Sequence, residues 1–227
     1  MELIECEPCK KGATDSIIRW LDVIITGVGK MRDIWYGDRR DRVKWGALVH
    51  LARSQGLSKI VQVAFYQRPT DDPKFWMDAG SISVPKEVWD HFSDLRNIEK
   101  LGESTGIEIV VLDRIFYPIR RREYIREVIQ ILRQHSASPK IVFLDPDTGI
   151  EPARAKAEHV TMEDVKEIWE VLSTRDWLAV YQHASRRENW REIGKQKFRQ
   201  ACEVEHVKVF RSCKIAKDVA VFAARRR

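Results

Sequence analysis

Carboxylates crowd into one short stretch of this sequence, KIVFLDPDTGIEP, at residues 140–152. Four apolar residues typical of a buried strand lead directly into Asp145, and Asp147 and Glu151 follow. A proline and a glycine between them predict a turn that presents Asp145 and Asp147 at the end of that strand. Carboxylates in such a position can stabilise a cation, take up a proton or activate water. The alternative is ordinary turn chemistry, and we expect Glu151 to lie on the surface.

A second polar segment, YQHASRR at residues 181–187, follows another apolar run. Gln182 and His183 supply hydrogen-bond donors and acceptors, and Arg186 and Arg187 supply positive charge that can contact phosphate. The alternative is a histidine that only satisfies a loop carbonyl. We therefore treat His183, with the two aspartates, as a candidate catalytic residue and Gln182 as a candidate substrate-binding residue.

A third segment, WYGDRRDRVKW at residues 35–45, places charges at the front of a predicted helix. Asp41 is explained as the N-cap of that helix. Asp38 and Lys44 are less easily explained in this way, and a helix N-terminus attracts phosphate. We expect Tyr36, Asp38 and Lys44 to contact a substrate.

Alternating strands and helices must position these segments. The apolar runs predict strands at 58–67, 107–113, 141–144 and 177–183, and a terminal strand pair at 206–213 and 218–224. Helical periodicity and end signals predict helices at 16–28, 41–56, 84–102, 122–134, 161–172 and 189–202. Most strands are continuously apolar, which is typical of a parallel sheet covered on both faces. We predict an α/β fold with a mainly parallel, Rossmann-like sheet, helices on both faces and a C-terminal antiparallel hairpin.

The predicted organisation is a helical N-terminal appendage at 1–30 and a single α/β catalytic domain at 31–227. In parallel sheets, ligands bind outside the carboxyl ends of the strands. Asp145, Asp147 and His183 follow two of the predicted strands, and Tyr66 and Gln67 end a third. We therefore expect these side chains to converge on one edge of the sheet, with Tyr66 and Gln67 among the substrate-binding residues.

The composition favours an anionic partner. The chain has 227 residues, a net charge of +6 and four cysteines, which we expect to be reduced thiols rather than a zinc site. It contains no apolar run long enough to span a bilayer and its start lacks a signal-peptide pattern, so we expect no membrane partner and a cytoplasmic location. Clustered arginines favour DNA contact over ordinary solvated helix faces. The candidate DNA-binding residues are Arg39, Arg40, Arg120, Arg121, Arg186 and Arg187.

The turn after the first sheet strand lacks the glycines of a cofactor site. This strand runs IVQVAFYQRP, with no Gly-x-Gly and no Gly-Lys-Ser/Thr after it. Nucleotide cofactors need close approach of the backbone at that turn, where this chain carries Tyr66, Gln67 and Arg68. We therefore expect no cofactor, no bound S-adenosylmethionine and no resident metal.

The order of the predicted elements, including the terminal hairpin, resembles the Rossmann-type methyltransferase fold. FLDPDTG lies where base-modifying methyltransferases keep an Asp/Asn-Pro-Pro-Tyr motif that grips a flipped base. Asp147 and Thr148 replace the second proline and the aromatic residue of that motif, and the glycine-rich turn is missing. The resemblance implies a methyltransferase-like protein that modifies a base or only binds one.

DPDTGIE, with YQH at 181–183 and YGDRRDRVKW upstream, also resembles the anti-phage DNA glycosylases that excise glucosylated hydroxymethylcytosine. That resemblance implies an enzyme that flips a modified base out of double-stranded phage DNA and hydrolyses its N-glycosidic bond. A carboxylate would stabilise the sugar cation or activate water, a polar side chain would bind the leaving base, and an aromatic ring would stack on it. The candidates for these roles, in that order, are Asp145 or Asp147, His183 with Gln182, and Tyr36 or Tyr66.

Three functions are therefore open. A DNA glycosylase is the main prediction, and a methyltransferase-like base-modifying or base-binding protein is the first alternative. A Mg²⁺-dependent nuclease that uses Asp145, Asp147 and Asp38 is the second, because clustered carboxylates also suit hard metals. If the carboxylates only form turns, a non-enzymatic nucleic-acid binder remains. The sequence does not indicate the base, its modification or the oligomeric state.

Overall fold

The computed structural model describes residues 38–66, 76–77, 82–83, 95–152, 156 and 159–227. The predicted appendage at 1–30, Tyr36 and Gln67 lie outside these residues. The described α-helices are α1 (Arg39–Gln55), α2 (Glu99–Thr105), α3 (Arg121–Gln134), α4 (Met162–Glu170) and α5 (Trp190–Cys202). Short 3₁₀ turns precede α2 at Leu95–Ile98 and α3 at Pro118–Arg120.

Ten strands lie within the described residues. They are β1 (Lys59–Val63), β2 (Trp76–Met77), β3 (Ile82–Ser83), β4 (Glu108–Leu112), β5 (Ile141–Leu144), β6 (Gly149–Ile150), β7 (His159–Val160), β8 (Trp177–His183), β9 (Lys208–Ser212) and β10 (Ala216–Arg225). Six of them form one sheet in the order β4-β1-β5-β8-β10-β9. Strands β4, β1, β5 and β8 are mutually parallel, and β10 runs antiparallel to both of its neighbours. This confirms the predicted mainly parallel sheet with its C-terminal antiparallel hairpin.

Helices cover both faces of this sheet. On one face, α1 packs against alternate residues of the strands, and Leu48 and Leu51 are almost completely buried there. On the other face, α3, α4 and α5 pack over the remaining residues, with Ile125, Ile168 and Phe198 in the interface. Because the central strands are buried on both faces, they lack polar alternation, as the sequence predicts. No helix in the described part of the chain has the length and hydrophobicity needed to cross a bilayer.

Helix α1 begins earlier than its sequence predicts. The Asp38 carboxylate accepts hydrogen bonds from the backbone nitrogens of Arg40, at 2.7 Å, and Asp41, at 2.9 Å, so Asp38 is the N-cap. The prediction that Asp41 caps this helix is wrong, because the carboxylate one turn earlier reaches the unsatisfied amide groups first. Gly56 ends the helix in a left-handed conformation, as expected.

Helix α4 carries the predicted capping box. The Thr161 hydroxyl accepts a hydrogen bond from the Asp164 nitrogen at 3.0 Å, and the Asp164 carboxylate accepts one from the Thr161 nitrogen at 2.8 Å. Asp164 also forms an ion pair with Arg121, which donates a further hydrogen bond to the His159 carbonyl at 3.0 Å. The start of α3 is thereby fixed to the start of α4.

Candidate functional site

Asp145, immediately after β5, is 2% exposed. Lys44 of α1 places its Nζ 3.1 Å from Oδ1 and 3.2 Å from Oδ2 of this carboxylate. Gln62 of β1 donates to Oδ2 at 2.7 Å. Lys44 also reaches Asp41 at 2.7 Å and lies 4.9 Å from the centroid of the Tyr181 ring. Asp145 is therefore the centre of a buried polar cluster that ties α1 to β1 and β5.

The protonation of this cluster follows from burial and charge. Burial raises the pKa of Asp145 above its usual value, and the positive charge of Lys44 only partly offsets that effect. Burial alone would lower the pKa of Lys44, but the carboxylates of Asp145 and Asp41 outweigh it and hold that pKa above its usual value. Burial likewise raises the pKa of the Tyr181 phenol. Lys44 and Asp145 therefore form an ion pair that is almost completely buried.

The turn that follows Asp145 is held by Gln182. Its Oε1 accepts a hydrogen bond from the Ile150 nitrogen at 3.0 Å, and its Nε2 donates to the Thr148 carbonyl at 3.1 Å. The His183 nitrogen also donates to the Thr148 carbonyl, at 3.0 Å. Gly149 lies against the Gln182 side chain so closely that an added Cβ would be 2.6 Å from it. Gln182, predicted to bind substrate, is therefore committed to the shape of the turn.

Asp147 lies two residues further along this turn and is half-buried. Since the backbone on both sides of it is fixed, its position beyond β5 is set by the turn rather than by the strand. Glu151, expected on the surface, is also half-buried and accepts a hydrogen bond from the Met162 nitrogen at 3.0 Å. Both carboxylate oxygens of Asp147 are buried within the protein.

A second charged cluster joins α1 to the C-terminal hairpin. Arg40 contacts Oδ2 of Asp218 through Nε, at 2.9 Å, and through a terminal nitrogen, at 2.7 Å. His183 Nε2 lies 3.3 Å from the same oxygen. The hydrogen bond with His183, together with that from Arg40, holds the pKa of Asp218 well below its usual range in spite of partial burial. His183 is therefore oriented by a carboxylate, as a histidine that binds or transfers protons requires.

Asp218, Gln62 and Tyr181 were not predicted from the sequence. Asp218 precedes the apolar run VAVFAA, and its contact with His183 depends on β10 lying beside β8, with Val219 opposite His183. Gln62 had a usable signal, since it is the one polar residue inside the apolar run IVQVAF. Such an isolated polar residue in a buried strand needs a partner, and here the partner is Asp145.

The candidate DNA-binding arginines divide into two groups. Arg40 and Arg121 are bound to Asp218 and Asp164, so their charges are already compensated within the protein. The exposed members, by contrast, are Arg39, Arg120, Arg186 and Arg187. Arg39 adjoins the N-cap of α1, and Arg186 and Arg187 follow His183 directly. Three of the four exposed arginines, Arg39, Arg186 and Arg187, are therefore close in sequence to members of the Arg40–Asp218–His183 cluster.

These groups line what we call the carboxyl edge, formed by the residues that follow β4, β1, β5 and β8 and that begin β10. The chain runs from β1 to its neighbour β4 and then crosses back to β5 on the other side of β1, so the sheet has its topological switch point between β1 and β5. The Asp145 nitrogen donates to the Val63 carbonyl there, at 3.0 Å. Ligands of open parallel sheets bind in the crevice at such a point. Asp147 and half-buried Tyr66 flank it.

The end of β1 has an unusual conformation. Phe65 has a φ of 48°, in the left-handed region that glycine adopts most easily. Its ring packs 5.4 Å from those of both Phe116 and Tyr124, and its nitrogen donates to the Tyr124 hydroxyl at 3.2 Å. A bulky, buried side chain thus occupies the position where Rossmann-type folds bring a glycine backbone against a nucleotide cofactor. Within the described part of this turn, the residues do not fit S-adenosylmethionine in that way.

The nuclease alternative has no ligand set in the described residues, where no group of three His, Cys, Asp or Glu side chains is placed to hold a metal ion. Two of its proposed ligands have other partners: Asp38 caps α1, and Asp145 is bound to Lys44 and Gln62.

The sequence matches no known protein-family model and no curated protein. Among solved structures, it is similar to a candidate methyltransferase from Thermobifida fusca YX, with 10% identity, a TM-score of 0.41 and coverage of 83% of this chain and 80% of that one. A DUF574-family protein from Streptomyces avermitilis has 8% identity, a TM-score of 0.38 and coverage of 83% of both chains. A release-factor-specific protein-(glutamine-N5) methyltransferase from Alicyclobacillus acidocaldarius has 13% identity, a TM-score of 0.38 and coverage of 88% and 99%.

These comparisons correct one prediction. Two of the three proteins are described as methyltransferases and none as a hydrolase of N-glycosidic bonds. The prediction that the chain is a DNA glycosylase hydrolase is therefore wrong. The geometry gives a separate physical reason for the correction at one residue, because Asp145 is buried in an ion pair with Lys44 of α1.

Proposed function

We propose that this chain is a methyltransferase-like, base-binding protein that takes a nucleobase of DNA into the crevice at the switch point of its sheet. One observation carries the proposal: the carboxylate-oriented His183 lies at the carboxyl edge, close in sequence to the exposed Arg186 and Arg187. A base removed from its stack is recognised by hydrogen bonds to its edge, while arginines contact the backbone phosphates.

The two kinds of contact have different roles. We assign the contact with the base edge to His183, which is held by Asp218 and whose side chain is 32% exposed. Arg39, Arg186 and Arg187 contact phosphates and contribute affinity that does not depend on the base. Asp145, Lys44 and Gln182 do not touch the base and instead hold the surrounding elements in place.

The experiment compares two fluorescein-labelled DNA duplexes by anisotropy, one intact and one with a single central abasic residue. We expect the wild-type protein to bind the intact duplex about tenfold more tightly than the abasic duplex, because a good contact with a base edge contributes about 1–3 kcal/mol. His183→Ala should remove most of that preference. Replacing Arg186 and Arg187 by Ala should weaken both duplexes alike and reduce the salt dependence by the equivalent of about two phosphate contacts.

Equal wild-type affinity for the two duplexes would contradict base binding, and a phosphate-only binder would remain. Calorimetry with S-adenosylmethionine, followed by transfer of its labelled methyl group to DNA, tests the base-modifying form of the same fold. Tight binding of S-adenosylmethionine with methyl transfer would replace the base-binding proposal with a methyltransferase.

A further inference from the structure

The loop between β4 and α3 presents two apolar side chains to solvent. Ile119 is 94% exposed and Tyr117 is 54% exposed. They adjoin Pro118, the first residue of the 3₁₀ turn Pro118–Arg120. Single exposed apolar residues are ordinary on protein surfaces, but two of them within three residues of one turn are a feature that needs an explanation.

The loop is fixed at its first end by Phe116. This side chain is 1% exposed, and its ring lies 5.1 Å from the ring of Tyr124 and 5.4 Å from that of Phe65. The Phe116 nitrogen donates to the Tyr66 carbonyl at 2.6 Å. The loop therefore departs from the protein at a point anchored in the core.

The other end of the loop is fixed by Arg121. Its guanidinium pairs with Asp164, donates to the His159 carbonyl and lies 4.8 Å from the centroid of the Phe116 ring. Between the anchors, the Arg120 nitrogen donates to the Tyr117 carbonyl at 2.8 Å and closes the turn. Because contacts fix both ends of the loop and a hydrogen bond closes its turn, the fold itself exposes Tyr117 and Ile119.

The surroundings of these side chains are positively charged. Arg114 and Arg120 are 62% and 70% exposed at the side chain, and Arg122 is also exposed. Arg114 lies 3.3 Å from Glu127 and Arg120 lies 3.9 Å from Glu123, but exposed pairs of this kind compensate charge only weakly. The apolar side chains of Tyr117 and Ile119, flanked by arginines, are complementary to a nucleic acid, whose phosphates are negatively charged and whose stacked bases form an apolar interior.

We propose that Tyr117 and Ile119 form a wedge that enters the base stack of double-stranded DNA bound along the carboxyl edge. This inference rests on the proposed function. The loop follows β4, at one end of the six-stranded sheet, and Arg186 and Arg187 follow β8, three strands away. At about 4.8 Å per strand, the separation is about 14 Å, which corresponds to about four base pairs of duplex. The wedge opens the stack beside the crevice that receives the base.

The test uses a duplex with 2-aminopurine, whose fluorescence rises when it leaves the stack, at the central position. We expect the wild-type protein to raise that fluorescence severalfold. Ile119→Ala and Tyr117→Ala should each abolish most of the rise and weaken duplex binding about tenfold, while binding to single-stranded DNA changes little because no stack has to be opened. Val209→Ala is the matched control, since Val209 is another exposed apolar residue, 38% exposed on β9.

Three results would overturn the wedge. If Ile119→Ala and Tyr117→Ala bind duplex and raise the fluorescence as the wild type does, the two side chains do not enter the stack. If these variants instead lose binding to phosphatidylserine vesicles and keep duplex binding, the two side chains belong to a membrane contact. If the wild-type protein binds neither duplex nor single-stranded DNA, the proposed function fails and the wedge fails with it. That result differs from the first one, in which the wild-type protein binds DNA and only the wedge fails.

Discussion

One carboxylate oxygen of Asp218 joins three elements of the protein. It accepts hydrogen bonds from Arg40 of α1 and from His183 of β8, and it belongs to β10. These contacts stabilise the charged form, which is why the pKa of Asp218 lies well below its ordinary value of 3.8. The same contacts fix the imidazole that we place against the base. The stability of the fold and the geometry of the site therefore share this residue.

Asp218 should make the stability of the protein sensitive to acid. A carboxylate with a lowered folded-state pKa contributes stability that is fully present above its unfolded pKa, here close to 3.8. As the pH falls below that value, the unfolded chain takes up the proton first and the contribution is lost. Asp218→Asn should therefore lower the free energy of unfolding at neutral pH and flatten its decline in acid. Urea titrations between about pH 6 and about pH 3 measure both effects.

Asp113→Asn provides the control for that experiment. Asp113 follows β4 at the same edge, but it is an exposed carboxylate whose partner is Arg96, at 2.8 Å. An exposed pair of this kind contributes little to stability, so the variant should retain the acid dependence of the wild type. An Asp218→Asn protein with an unchanged acid profile would show that Arg40 and His183 do not hold the carboxylate in solution.

The residue scale also shows what the sequence can and cannot predict about the site. The position of Asp145 and Asp147 just beyond a buried strand is predictable, because strand hydrophobicity and turn residues are local signals. The partner of Asp145 is not predictable, because Lys44 reaches it from an element 101 residues earlier. Packing determines whether such a carboxylate faces a ligand or a helix, and Asp145 faces helix α1.

At the scale of elements, the turn after β5 depends on a close approach of backbone and side chain. Gly149 has a φ of 112°, and the Gln182 side chain fills the space that a Cβ would occupy. Gly194 of α5 lies close to the same glutamine, at 3.1 Å from an added Cβ. One side chain is thus packed between two glycines, and it carries the hydrogen bonds that hold the turn.

Gly149→Ala should destabilise the protein by about 2–3 kcal/mol, because it combines an unfavourable φ with a steric clash. The matched control is Gly46→Ala in α1, where an added Cβ meets nothing within 4 Å. That substitution should stabilise by about 0.5–1 kcal/mol through better helix propensity. Thermal and urea unfolding of the two variants measure the difference. If both glycines tolerate alanine equally, Gln182 does not pack against the turn as described.

The predicted elements differ in how well they agree with the structure. Helices α3, α4 and α5 and the terminal hairpin are confirmed, because their apolar periodicity and capping residues are strong local signals. The short pair β6–β7 was not predicted, since each strand has two residues and the pairing is set by the turn. The start of α1 was misplaced because Asp38 and Asp41 are both acceptable N-caps by sequence, and only the fold distinguishes them.

At the scale of the whole molecule, the two ends of the parallel strands have different tasks. The carboxyl edge carries the polar groups that we assign to the ligand. At the opposite edge, Lys140 is buried with its Nζ 2.7 Å from Asp176, whose carboxylate also accepts from the Lys140 and Ser173 nitrogens, both at 3.0 Å. That cluster joins the starts of β5 and β8. It is a second buried ion pair, far from the groups that we expect to contact DNA.

This separation predicts that stability and DNA binding can be altered independently. Lys140→Met leaves the Asp176 charge buried without its partner, which costs about 3–5 kcal/mol, so the melting temperature should fall clearly. DNA affinity, measured at a temperature where circular dichroism shows the variant folded, should stay within about twofold of the wild type, because the carboxyl edge is unchanged. Replacing Arg186 and Arg187 by Ala should do the reverse, with stability changed by less than about 0.5 kcal/mol and duplex affinity clearly reduced. A loss of DNA affinity in folded Lys140→Met protein would mean that the two edges are coupled through the strands, and the ligand site would then extend beyond the carboxyl edge.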